Sequence, residues 1–169
     1  MSFLIQMKGM IIKNYDRESA VQYAKIWAFN RNPKFYNFDN LGGDCTNFVS
    51  QCLLSGCKVM NYTQNFGWYY HSINDRTPSW TGVEFLYNFL TSNKSVGPFA
   101  KLVDRFSTKI GDVIELGRQN GSFYHSMIIT KIQNGNIYTS SHTVDSFDRP
   151  LSSYIYDKIR FIHILGVRI

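Results

Sequence analysis

Cysteine is scarce in this chain: three among 169 residues, an odd number confined to Cys45, Cys52 and Cys57. That count excludes a disulfide framework, and on a shared helix the fixed backbone spacing would keep Cys45 from bridging Cys52. No Cys-x-x-Cys or His-x-x-x-His pair occurs, so the spacing argues against a zinc site built from these thiols with His71, His125 or His142. No metal or organic cofactor is expected. No run approaches the roughly 18 apolar residues of a membrane-spanning helix. Met1 to Ile12 is apolar but broken by Gln6, Lys8 and Gly9 and has no small-residue cleavage site, so it does not read as a secretory signal. Residues 1–14 are read as a leader before a single domain over 15–169. The compartment stays open: outside the cell if the protein is exported or released, the cytoplasm otherwise. Basic residues form no block and no nucleic-acid-reading motif. The net charge of +6 therefore predicts attraction to polyanions in general, with neither nucleic acid nor membrane as the expected partner.

What is present is the composition of one folded domain, with 44% hydrophobic and 18% charged residues and an aromatic share of 16%. Asp16 is placed to cap a helix in which Ala20, Val21, Ala24, Trp27 and Ala28 recur at helical spacing, ending near Asn30. Asn32 to Asn40 reads as an irregular loop. Cys45, Phe48, Val49, Cys52 and Leu53 again fall at helical spacing, with Gly56 as the expected stop. Cys57 to Ser79 is polar and aromatic and reads as a long loop. A further helix is expected from Pro78-Ser79 to about Ser92. The remainder turns β-rich: residues 112–116, 124–130, 137–142 and 159–164 are candidate strands, and Asn134-Gly135 is a hairpin turn. Helices followed by a largely antiparallel sheet make an α+β domain.

A thiol acts as a nucleophile only as thiolate, and a helix N-terminus favours that anion. Gly42-Gly43-Asp44-Cys45 sets a cysteine at such a position behind two permissive glycines, with the Cys45 backbone N–H as a possible oxyanion donor. Its base would be an imidazole, and His125 opens the apolar run Met127-Ile128-Ile129. After the Asn134-Gly135 turn the next strand returns antiparallel and should bring His142 beside His125, which makes His142 the preferred third member, with Asp145 or Asp148 as alternatives. Asn47 and Gln51 read equally as oxyanion donors or as helix-surface residues. Trp68 and Tyr69 are candidates for gripping a glycan or peptide, whereas Trp80 heads an apolar stripe and reads as core.

Several blocks occur in a fixed order: Tyr23-Ala24-Lys25-Ile26-Trp27 with Asn32-Pro33, Gly42-Gly43-Asp44-Cys45-Thr46-Asn47-Phe48-Val49-Ser50-Gln51, Pro78-Ser79-Trp80-Thr81, Ile110-Gly111-Asp112-Val113, His125-Ser126-Met127-Ile128-Ile129 and His142-Thr143. Together they resemble the putative amidase domain family of bacteria, related to the CHAP and NlpC-type cell-wall hydrolases of the papain-like group. The resemblance implies a papain-like fold with Cys45 as nucleophile and His125 as base, and hydrolysis of an amide in peptidoglycan. It also implies a substrate-binding role for Asp44, through a substrate amine, which competes with local loop capping. The reading from a different class is a catalytically silent module that binds wall polymer or protein.

Overall fold

The structure, a computed structural model, describes residues 9–169. Residues 1–8 of the expected leader lie outside the described residues. Strand β1 (Ile12–Lys13) precedes two helices, α1 (Arg17–Trp27) and α2 (Cys45–Cys57). Strands β2 (Tyr70–Ser72) and β3 (Asp75–Arg76) form a small hairpin, followed by α3 (Pro78–Thr81) and α4 (Val83–Ser92). Then come β4 (Gly97–Val103), β5 (Val113–Gly117), β6 (Phe123–Gln133), β7 (Asn136–Ser141), β8 (Ser146–Pro150) and β9 (Lys158–Arg168). Among the described residues the main sheet has seven strands, in the order β1-β9-β5-β6-β7-β8, with β4 also paired to β9. Every pairing in it is antiparallel. The chain is thus α+β, helices first.

The start of α1 follows from Asp16, whose carboxylate accepts the Ser19 N–H at 3.0 Å, with Glu18 in the first turn. The α2 helix is buried nearly all round, Leu54 and Ser55 excepted, as expected of a central helix with little polar face. It runs through Gly56 and stops at Lys58, which takes a left-handed conformation (φ 63°). Gly56 instead marks where α2 touches the start of α1. A Cβ there would lie 2.3 Å from Tyr15 Cε2 and 2.7 Å from the Asp16 carbonyl oxygen. Gly56→Ala should therefore destabilise the domain by about 1–3 kcal/mol, read as a lowered Tm, because the backbone oxygen cannot move aside.

The expected helix from Pro78 to Ser92 is split at Gly82, whose extended backbone (φ −113°, ψ 128°) ends α3 and starts α4. The expected loop over residues 57–79 carries the β2–β3 hairpin and an Asn61–Trp68 bridge. Strands β1, β4 and β8 complete the sheet beyond the four expected from sequence.

Two apolar layers sandwich the sheet. On the helix side Phe48, Val49, Cys52 and Leu53 of α2 pack on Val113, Ile128 and Ile162. On the other side Ile114, Leu116, Met127, Ile129 and Phe161 form a second cluster, with Tyr154 packed against it. Side-chain alternation along β6 therefore sends Ser126 and Ile128 toward α2, and His125 and Met127 the other way.

Candidate active site

Cys45 heads α2 after a turn that requires glycine: Gly42 (φ 86°) and Gly43 (φ 96°) both hold positive φ. The thiol, 7% exposed, shares a cleft of about 280 Å3 with His125. Gly42, Gly43, Tyr124 and Tyr154 also line it. The β6–β7 ladder ends at Ile128↔Ser140, which leaves the start of β6 open to the helix end. There the Thr46 and Ser126 hydroxyls lie 3.1 Å apart, and the Ser126 backbone N–H hydrogen-bonds the Cys45 sulfur.

Burial pushes the Cys45 thiol up, against the opposing hydrogen bonds from Ser126 and Thr46. Burial, aided by the Arg149 charge, pulls His125 down from 6.5 to about 4. The shifts oppose ion-pair formation, so the resting couple is a thiol and a neutral imidazole. Cys52 and Cys57 are buried free thiols, both pushed further up by desolvation. That leaves Cys45 as the thiol that lines a cleft together with an imidazole.

The structure brings Cys45 and His125 together and places His142 elsewhere. His142 Nδ1 lies 2.5 Å from Asp44 Oδ2, and its Nε2 lies 2.9 Å from the Trp27 carbonyl oxygen. Both partners are acceptors, so the imidazole donates at both nitrogens and forms an imidazolium–carboxylate pair with Asp44. The ring stacks on Phe48 of α2 with centroids 4.0 Å apart.

The cause is a β-bulge. Thr130 is an extra residue in β6, between the pairs Ile129↔Thr139 and Lys131↔Tyr138. Without it, the register set near the hairpin turn would put His142 opposite Met127, on the His125 face. With it, the ladder extended past Ile128↔Ser140 sets His142 opposite Ser126, on the helix face. No side chain among the described residues hydrogen-bonds His125. Its aromatic neighbour is Tyr154, at 6.2 Å between ring centroids.

Asp44 is fully buried and accepts from the Phe38 N–H at 2.8 Å and from Asn47 Nδ2 at 2.9 Å, as well as from His142. Its carboxylate braces the turn that presents Cys45. Asp145 forms a two-pronged ion pair with Arg31, both contacts at 2.9 Å, and Arg31 also holds Asp39. Asp148 accepts from the Thr130 hydroxyl at 2.7 Å. Asn47 is fully engaged, donating to Asp44 and the Tyr36 carbonyl and accepting from Trp80 Nε1, while Gln51 accepts from the Tyr23 hydroxyl.

Trp68 is 0% exposed, packed on Trp80 and Phe89, with its Nε1 donating to Ser50 Oγ at 3.1 Å. Tyr69 lies beside the β2–β3 hairpin, between Tyr62 and His71, and donates its hydroxyl to Asp75. Neither lines the Cys45 cleft.

Behind the thiol runs a polar row that sequence reasoning missed. The Ser126 hydroxyl donates to Glu115 Oε1 at 3.4 Å, and Glu115 pairs with Arg160, which also holds Glu84. Ser126, Glu115 and Arg160 are direct partners across β6, β5 and β9. Desolvation pushes the Glu115 carboxyl up to about 8 despite the pull of Arg160. Its signal was a lone carboxylate between Ile114 and Leu116 in an apolar strand. Arg149 and Tyr154, also in the cleft wall, had no such signal.

Comparison with known proteins places the chain in a family. The chain is 32% identical to Bacillus subtilis "Uncharacterized protein YhbB" over 136 residues, covering 78% of this chain and 42% of that protein. It is 30% identical to Bacillus subtilis "Uncharacterized protein YjcM" over 151 residues, covering 82% of this chain and 33% of that protein. The chain therefore spans less than half the length of either relative. No solved structure matches it. The family model described as "Putative amidase domain" matches residues 14–165, and the chain belongs to that family.

Proposed function

We propose that this domain is a cysteine amidase or peptidase with a papain-like arrangement, in which Cys45 attacks an amide carbonyl and His125 is its general base. The observation that carries the reading is the shared cleft, lined by both a helix-terminal thiol and a half-buried neutral imidazole. His125 takes the thiol proton as the sulfur–carbon bond forms, and the N–H groups at the start of α2 face the developing oxyanion. Collapse breaks the C–N bond, and the amine leaves with the proton from His125. Water then attacks the thioester, its proton passing to His125, and release of the acid restores the thiol. Asp44 and His142 act on this site indirectly, by holding the turn before Cys45.

Peptidoglycan is the proposed substrate. The resemblance of the Gly42–Gln51 block and its companions to cell-wall hydrolases supports it, and the net charge of +6 suits a wall rich in anionic polymer. The test is mass spectrometry of purified peptidoglycan digested with wild type and Cys45→Ala. New amino and carboxyl termini are expected from wild type alone, at masses that identify the scissile amide. Equal release by both proteins removes Cys45 as nucleophile, and no release by either leaves a binding module.

A further inference from the structure

The carboxylates around the cleft are each matched to a cationic partner: Asp44 to His142, Asp39 and Asp145 to Arg31, Asp148 to Lys131 and Glu115 to Arg160. Arg149, in the cleft wall, differs. No carboxylate among the described residues lies within 4.0 Å of its guanidinium. The group is nonetheless held in place, 3.9 Å over the Tyr154 ring, with Nε donating to Ser153 Oγ at 2.8 Å and Nη2 to the Ser153 carbonyl at 3.3 Å. Nη1 makes no hydrogen bond to the described residues. A stacked, tethered guanidinium with a free edge is pre-organised to receive an oxyanion. The cleft is also lined by Leu116 and by two exposed apolar side chains, Val144 (66%) and Ile155 (96%), with Ser141 and Thr143 as its hydroxyl groups.

We infer that Arg149 is the seat for a free carboxylate borne by the substrate close to the scissile amide, with the apolar part of that substrate lying along Val144 and Ile155. The inference rests on Cys45 being the nucleophile of this cleft. It makes the domain selective for amides in acidic peptides over the same peptides with the carboxylate blocked as amide. Arg149 is thereby a specificity residue, separate from the bond-making pair.

Two small electrophiles separate this inference from the nucleophile assignment. Iodoacetate carries a carboxylate and iodoacetamide is its neutral analogue, and labelling of Cys45 by each is followed by mass spectrometry at pH 7. A cation in the wall of the thiol's cleft should raise the iodoacetate-to-iodoacetamide rate ratio about tenfold over that of the urea-unfolded chain. Arg149→Gln should bring the ratio of the two rates back to that of the unfolded chain, and Arg149→Lys should keep part of the preference.

Wild-type protein gives a readout that needs no variant. N-acetylalanine should slow iodoacetamide labelling of Cys45, and N-acetylalaninamide should not. A reactive Cys45 with no anion preference and no protection by N-acetylalanine overturns the carboxylate seat and leaves the nucleophile standing. A Cys45 inert to both reagents overturns both.

Discussion

Asp44→Ala is expected to lower unfolding stability by about 3–5 kcal/mol, measured by urea denaturation. Asp44 is 0% and His142 1% exposed, so removing the carboxylate strips the buried ring of its counter-charge and of its Nδ1 hydrogen-bond partner. It also frees the Phe38 N–H and the Asn47 amide, both of which now donate to Asp44. A domain of this size has about 5–15 kcal/mol of stability in total, so the loss is a large part of it. His142→Ala should cost a comparable amount, because Asp44 keeps only Arg31 as a cation, at 3.6 Å, and Phe48 loses its stacked ring. The double variant should cost clearly less than the two single losses combined, since neither charge is then stranded. Additive losses would show that the two residues do not act as a pair. If His142 instead oriented His125, His142→Ala would depress catalysis with little change in stability.

The misplacement of His142 shows which parts of the site could be read from residues alone. The Asp16 cap and the apolar period sufficed for α1, and the spacing of Phe48, Val49, Cys52 and Leu53 placed α2 although its stop lies beyond Gly56, because these are local signals. The β6–β7 hairpin was equally local: Asn134 (φ 51°) and Gly135 (φ 74°) take the positive φ values that such a turn needs. The face on which His142 emerges depends on a bulge at Thr130, and Thr130 is a β-branched residue that reads as ordinary strand. The bulge is fixed by tertiary contacts, among them the Asp148 carboxylate. Trp68 was misleading for a related reason. Its aromatic neighbours look like a binding surface until Ser50 and Trp80 are known to close over it. Strands β1, β4 and β8 gain their place from pairing with β9 or β7, which no local pattern announces. Arg149 is legible only once the cleft exists.

Replacing His125 by Asn should slow the chemistry and strengthen the fold in acid, two effects of opposite benefit from one side chain. Without the imidazole, Cys45 reacts only through its own ionisation, and burial has pushed that above the ordinary thiol range. At pH 7 its labelling by iodoacetamide should fall by about 10²–10⁴-fold, the usual contribution of a positioned base. In wild type the labelling rate should climb through pH 4 as His125 becomes available, then run nearly level to pH 8. In His125→Asn it should instead rise about tenfold per pH unit over that range. The stability effect follows from proton binding. Folded His125 accepts a proton only near pH 4, whereas the unfolded chain accepts it near 6.5. Between those values the unfolded state binds more protons, so stability falls as pH falls. The window is worth about 3 kcal/mol at about 1.4 kcal/mol per pH unit. That share of the loss between pH 6.5 and pH 4 should vanish in His125→Asn, compared by urea midpoints. A variant that loses reactivity and keeps the wild-type acid slope would mean that His125 is not the half-buried neutral base of this cleft.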